Sequence, residues 1–193
     1  MNTPAHVLFG MAAFAEPGAR VVARRSVLAA SAGALAPDLS LYVMAGWSLY
    51  VLDIPPQVVF RELYYTDAWQ QVFAIDNSFI LWGLGLAWAL WARRPLVVAF
   101  TAAALLHLAL DFPLHNDDAR MHFWPLTDWK FESPISYWNG AQGGQWVGAL
   151  EASASCVCAA ILWRRLDALW IRAWVVAWLG LEFASAGFWS FIF

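Results

Sequence analysis

Apolar residues in this chain fall into runs of near bilayer-crossing length, and the polar positions collect between the runs and at their ends. A spanning helix needs about 20 mostly apolar residues, because a rise of about 1.5 Å per residue must cover a hydrocarbon layer of about 30 Å. Six stretches qualify or come close: 4–16, 26–52, 78–92, 95–112, 145–163 and 172–192. The first is short, and Pro37 with Asp38 predicts a break in the second. Gly33, Gly46, Gly83 and Gly85 permit close helix contacts. Residues 56–75 carry apolar side chains at helical spacing (Val59, Phe60, Leu63 and Tyr64, then Trp69, Val72 and Phe73), which predicts an amphipathic helix in the membrane interface. Residues 113–144 are rich in Pro, Asp, Trp and Gly and read as an ordered cap, since a flexible linker would be poor in aromatics. The expectation is all-α: one integral membrane domain over 1–193, a polytopic bundle of about six transmembrane helices with an interfacial helix and a cap loop.

Composition agrees with that class. Of 193 residues 62% are hydrophobic and 13% charged, where soluble domains carry about 25% charged residues. The 14 tryptophans suit a chain with two membrane–water interfaces. A net charge of −3 without a basic stripe gives no support to a nucleic-acid partner and leaves the lipid bilayer as the expected one. The segment Met1-Asn2-Thr3-Pro4-Ala5-His6 lacks the cationic stretch of a secretory signal. Cys156 and Cys158 are two apart on one helix, face different ways and read as small apolar residues.

The arginines order the runs. Arg20, Arg24 and Arg25 follow the first, Arg93 and Arg94 the third, and Arg164, Arg165 and Arg172 lie between the fifth and sixth. With six spans all three groups share one side, which the positive-inside rule makes cytoplasmic. Both termini and the connections 53–77 and 113–144 then share the far side.

That far side also collects the chemistry. His107 and Asp111 are spaced i,i+4 at the end of the fourth run, on one helix face, where both reach a single metal ion. His6, Asp38, Asp76, Asn77, His115 and Glu151 fall at comparable depth. Each has a plainer reading. Asp38 after Pro37 suits a helix N-cap, Asp76-Asn77-Ser78 suits a cap for the third run, and His107 with Asp111 suits a hydrogen-bonded packing pair. His115, Asp117, Asp118 and His122 sit in a polar loop where solvation is the default, and Glu151 and Glu182 suit protonated groups bonded across helices. A divalent metal, zinc first, accounts for imidazoles and carboxylates at this density. Nothing in the sequence matches a phosphate-binding lysine loop, a serine-hydrolase elbow or a His-Glu-x-x-His motif.

The order of His6, Ala34-Leu35-Ala36-Pro37-Asp38, a polar motif opening a helix, and His107-x-x-x-Asp111 resembles the predicted membrane-bound metal-dependent hydrolases, which include a LexA-regulated inner-membrane member. That family is distantly similar to zinc-dependent phospholipases C and single-strand nucleases. The resemblance covers roughly 1–125. It implies that His6, Asp38, His107 and Asp111 are metal ligands, with Asn77 standing where the family carries a histidine and Asp76 beside it as a substitute. It implies a metal site on the periplasmic side of a bacterial inner membrane, for which the expected chemistry is hydrolysis of a phosphoester in a phospholipid or lipid phosphate; beside the ligands, Asp76, His115 and Arg120 are the candidate catalytic or phosphate-binding side chains. Arg120 is preferred over Lys130 for phosphate, being nearer His115. Two other classes stay open. One is a non-catalytic scaffold with a degenerate site, using Trp163, Trp170, Trp174, Trp178 and Trp189 as a partner surface. The other is a small transporter using Asp38 and Glu151.

Overall fold

A computed structural model describes residues 1–192, with side chains throughout except those of Arg20 and residues 186–192; Trp189 therefore lies outside the described side chains. The helices are α1 (Thr3–Phe14), α2 (Arg20–Leu35), α3 (Leu39–Tyr50), α4 (Pro56–Arg61), α5 (Asp67–Asp76), α6 (Phe79–Trp91), α7 (Pro95–Asp111), α8 (Gly144–Arg165) and α9 (Leu169–Ile192). No strand occurs among the described residues.

Among the described residues three helical stretches are long and apolar enough to cross a membrane: Val21–Tyr50, Asp67–Trp91 and Gly144–Arg165. That is fewer than the six expected: the first and fourth runs form helices that are too short, and the sixth, 172–192, falls partly outside the described side chains. With 12 residues α1 rises only about 18 Å, and with 17 residues α7 rises about 25 Å, both short of a hydrocarbon layer of about 30 Å. The run at 78–92 reaches spanning length only because α5 leads into α6 with a short break at Asn77 and Ser78.

Two boundaries also differ from expectation. Helix α2 starts at Arg20 rather than at 26, because Arg and Ala are good helix formers and polarity alone does not end a helix. Residues 56–75 do not make one amphipathic helix. Glu62 leaves helical geometry (φ −121°, ψ −65°), and a 3-10 turn at Leu63–Tyr65 separates α4 from α5. The break at Pro37 takes the form of a 3-10 turn, Ala36–Asp38, between α2 and α3.

Helix α1 is the axis of the bundle and packs on α2, α7, α8 and α9. Close packing there depends on small residues. A Cβ on Gly10 would lie 3.0 Å from Ala34 Cβ and 3.3 Å from Ala103 Cβ, so α1, α2 and α7 cross at that point. An apolar core including Val7, Leu8, Met11, Val27, Leu162 and Ile171 fills the middle and one end. At that end Arg165 donates to the carbonyls of Ala12 (2.6 Å) and Ala15 (2.9 Å), and the Arg24 guanidinium lies 6.0 Å from the Trp170 ring. The start of α1 and the ends of α2 and α7 are thus gathered at the opposite, polar end. There α3, α4 and α5 form a second apolar cluster around Val59, Tyr64, Trp69 and Phe73.

Candidate metal centre

Asp111, the last residue of α7, is the hub of the polar end and is buried. Its Oδ1 lies 2.9 Å from His6 Nε2 and 2.6 Å from the Met1 amino nitrogen. Its Oδ2 lies 3.2 Å from both His107 Nε2 and His115 Nε2. Asp38 comes from the 3-10 turn, with Oδ1 3.6 Å from His107 Nε2. Ligand atoms of His6, His107 and Asp111 lie within 4.8 Å of one another.

Proton placement decides what this cluster can hold. His107 Nδ1 lies 2.7 Å from the Ala34 carbonyl, which can only accept, so Nδ1 carries a hydrogen and donates it. In the neutral ring Nε2 is then a bare electron pair; it is buried and has no hydrogen-bond partner. His115 repeats the arrangement, with Nδ1 2.7 Å from Asp118 Oδ2 and a buried, unpartnered Nε2 turned to Asp111. Two buried imidazole nitrogens therefore converge on one carboxylate oxygen, an arrangement that is stable only with a proton or a cation among them. A carbonyl or carboxylate on the far ring nitrogen is the usual outer partner of a metal-ligating imidazole. The donor set of imidazole nitrogen and carboxylate oxygen fits zinc or a harder divalent ion.

Outside the apolar runs, charge follows environment. Burial alone would lower the pKa of His115, but the carboxylates of Asp111 and Asp118 outweigh it and raise it to about 9. Burial favours the protonated form of Asp118, yet the His115 cation outweighs this and holds it below the usual range. His122 is pushed down to about 4, chiefly by burial and only partly opposed by its bond to the Asn77 carbonyl.

The remaining expected site residues go elsewhere. Asn77 is buried and its amide donates to the carbonyls of Pro37 (3.3 Å) and Phe73 (3.0 Å). Its own carbonyl faces His122 Nδ1 at 2.9 Å. It thereby ties α5, the 3-10 turn and the cap together, outside the group around Asp111. Ser78 caps α6, accepting from Leu81 N–H at 3.1 Å. Asp76 is half-buried, and its backbone carbonyl accepts from Trp82 Nε1. Asp38 makes no side-chain cap for α3; its second oxygen takes the Thr3 hydroxyl, which also meets Tyr42 OH at 2.6 Å. Glu151 and Glu182 are buried and joined through Asn2, whose backbone N–H reaches Glu151 (2.6 Å) and whose amide reaches Glu182 (3.3 Å).

The cap carries His115 into the site. Ser133 N–H donates to the His115 carbonyl (2.9 Å) and Tyr137 N–H to the Leu114 carbonyl (3.0 Å), while the Tyr137 ring lies 5.1 Å from the His115 ring. From sequence alone Asp118 reads as a solvated loop residue. Its spacing of three from His115 was the available signal, since one turn brings such a pair together. Arg120, also buried, stacks against the Phe73 and Tyr64 rings at 4.2 and 4.8 Å. A cavity of about 720 Å³ lies over Asp38, Asp111, His115, Asp118 and Arg120. Comparison with known families, curated proteins and solved structures gives no match.

Proposed function

We propose that this chain is a metal-dependent hydrolase of the inner membrane, acting on a phosphoester of a phospholipid or other lipid phosphate, as its resemblance to membrane-bound metal-dependent hydrolases implies. The observation that carries the reading is His107: with Nδ1 donating to Ala34, its Nε2 is buried, has no hydrogen-bond partner and faces two carboxylates. His6, Asp38, His107 and Asp111 would hold a divalent ion, zinc first. When bound, the ion supplies Lewis acidity at a phosphoryl oxygen and lowers the pKa of water.

The chain's own part is orientation and proton transfer. Asp118 fixes the His115 ring so that Nε2 points toward the centre. Protonated there, His115 gives its Nε2 proton to the departing ester oxygen as the P–O bond breaks. It regains a proton from the water whose oxygen ends on phosphorus. In the bilayer the helices form a multi-pass bundle with the arginine-bearing end cytoplasmic and the site periplasmic.

The test is hydrolysis of a short-chain phospholipid by detergent-purified protein, beside its metal content. Activity that chelation abolishes, zinc restores and His107→Ala lacks is the expected result. Bound metal without turnover of any phosphoester would overturn the enzymatic reading. A second reading, a non-catalytic scaffold, is favoured by Asn77, whose amide is spent on backbone carbonyls where the family carries a histidine. It requires that no metal binds even after reconstitution.

A further inference from the structure

The cavity over the cluster has two unlike ends. One is the polar end already described. The other runs between α3 and α9, walled by Leu41, Ala45 and Leu49 on one side and by Trp178, Leu181 and Ala184 on the other. From Leu41 to Tyr50 helix α3 rises about 13 Å, enough to lie along a substantial length of hydrocarbon chain. Tyr50 and Leu181 at that end are 84% and 51% exposed, so the apolar end opens on the outer surface of the bundle rather than closing inside it.

Arg120 marks the polar end. It is the only Lys or Arg side chain on the cavity wall among the described residues, it is buried, and its Nη1 has no hydrogen-bond partner. A buried guanidinium normally has an oxygen partner, because leaving its N–H groups unsatisfied is costly. Here the aromatic faces of Phe73 and Tyr64 hold it without supplying that oxygen. All five tyrosines of the chain (Tyr42, Tyr50, Tyr64, Tyr65 and Tyr137) line the same cavity. Tyrosine walls suit a ligand that is apolar along its body and polar at one end.

We infer that this cavity seats a single membrane lipid from the side, its phosphate on Arg120 next to the Asp111 centre and its hydrocarbon chain between α3 and α9. The inference rests on the hydrolase reading for the metal, but the lipid seat stands on its own residues. The phosphate is the complement of the unpartnered Nη1, on a guanidinium that Asp118 and Asp38 already attract toward the Asp111 side of the cavity. The chain is the complement of the open apolar end. Lateral access follows, since the lipid need not leave the bilayer to reach the site.

The test is binding of hexadecyl phosphate and of hexadecanol to the purified full chain, read by tryptophan fluorescence, with metal and after chelation. Wild type is expected to prefer the phosphate by about tenfold or more, and Arg120→Gln to lose that preference while still binding the alcohol. Gly46 is on the cavity wall and a Cβ there meets nothing within 4 Å, so Gly46→Trp places a ring at the chain end; with a melting temperature near wild type, it should weaken both ligands by about tenfold. Inorganic phosphate should compete only at concentrations about a hundredfold higher. Equal binding of phosphate and alcohol, an unaffected Gly46→Trp, or inorganic phosphate as potent as the lipid would overturn the inference. Metal content, measured in parallel, separates the two ideas. Bound metal with no phosphate preference sinks the lipid seat alone, and a preserved preference without metal supports the seat and sinks the hydrolase.

Discussion

The rings of His6 and His107 lie stacked, with centroids 3.6 Å apart and 14° between their planes. They come from α1 and α7, so the contact exists only because those helices pack together. Two imidazolium cations at that distance would repel each other strongly in a buried site. Neutral rings sharing one cation, or one proton, avoid the repulsion.

That relationship separates ligation from packing. His6→Phe keeps a flat ring against His107 and removes the nitrogens. It should fold, with a melting temperature near wild type, and yet lose bound metal by more than the roughly 10–100-fold that an outer-shell partner is worth. Elemental mass spectrometry beside thermal unfolding checks both halves. A folded His6→Phe protein with a full complement of metal would remove His6 from the ligand set.

Asp118 acts through His115, and its effect should be visible in a pH profile. Asp118→Asn keeps the shape but replaces a carboxylate on Nδ1 with an amide. Activity should fall about 10–100-fold, while metal content stays near that of wild type. The alkaline limb governed by His115, which Asp111 and Asp118 raise to about 9, should move to lower pH. A reduced rate with an unmoved limb would mean that Asp118 merely props up the cap.

The sequence makes some of this legible because it is local. His107 and Asp111 share a helix face by spacing alone, and the apolar runs announce helices. Whether a run reaches across a bilayer depends on where its helix begins and ends. Hydropathy misplaced the start of α2 at the arginines and merged α4 with α5 across Glu62. Long-range partners were not legible. Asn77 looked like a displaced ligand because motif order ignores direction, whereas its amide turns to Pro37 and Phe73. The Arg120 cage of Phe73 and Tyr64 needs α5, the turn before it and the cap to meet.

Stability in the metal-free state should peak near pH 6.5, with His122 and His115 setting opposite limbs. His122 has a folded pKa of about 4, below its unfolded value, so between those two values the unfolded chain binds the extra proton. Its contribution is complete above about pH 6.5 and is lost as pH falls toward 4, by at most about 3 kcal/mol. His115, raised to about 9, contributes fully below about pH 6.5 and loses its contribution as pH rises through 9. Melting temperatures of chelated protein from pH 4 to 10 should show the dome. His122→Asn should flatten the acid limb and spare the alkaline one, whereas His115→Asn should remove the alkaline limb. A single limb, or both variants changing both limbs, would contradict the assignment.

Two glycines put the helix packing itself to test, because they differ in what surrounds them. A Cβ on Gly33 would lie 1.9 Å from the Phe100 carbonyl oxygen, so α2 and α7 approach each other there through backbone rather than side chains. Gly33→Ala must push these helices apart, and with them the Ala34 carbonyl that holds His107. The cost should be at least the roughly 1–3 kcal/mol of an overpacked core. Metal retention should fall with it although neither residue is a ligand. Gly46 lies in α3 with nothing within 4 Å of its would-be Cβ, so Gly46→Ala should stabilise by up to about 1 kcal/mol through helix propensity and leave metal untouched. Thermal unfolding with metal content on both variants decides the matter. If Gly33→Ala were as stable and as metal-replete as Gly46→Ala, the close α2–α7 contact could not be what positions His107.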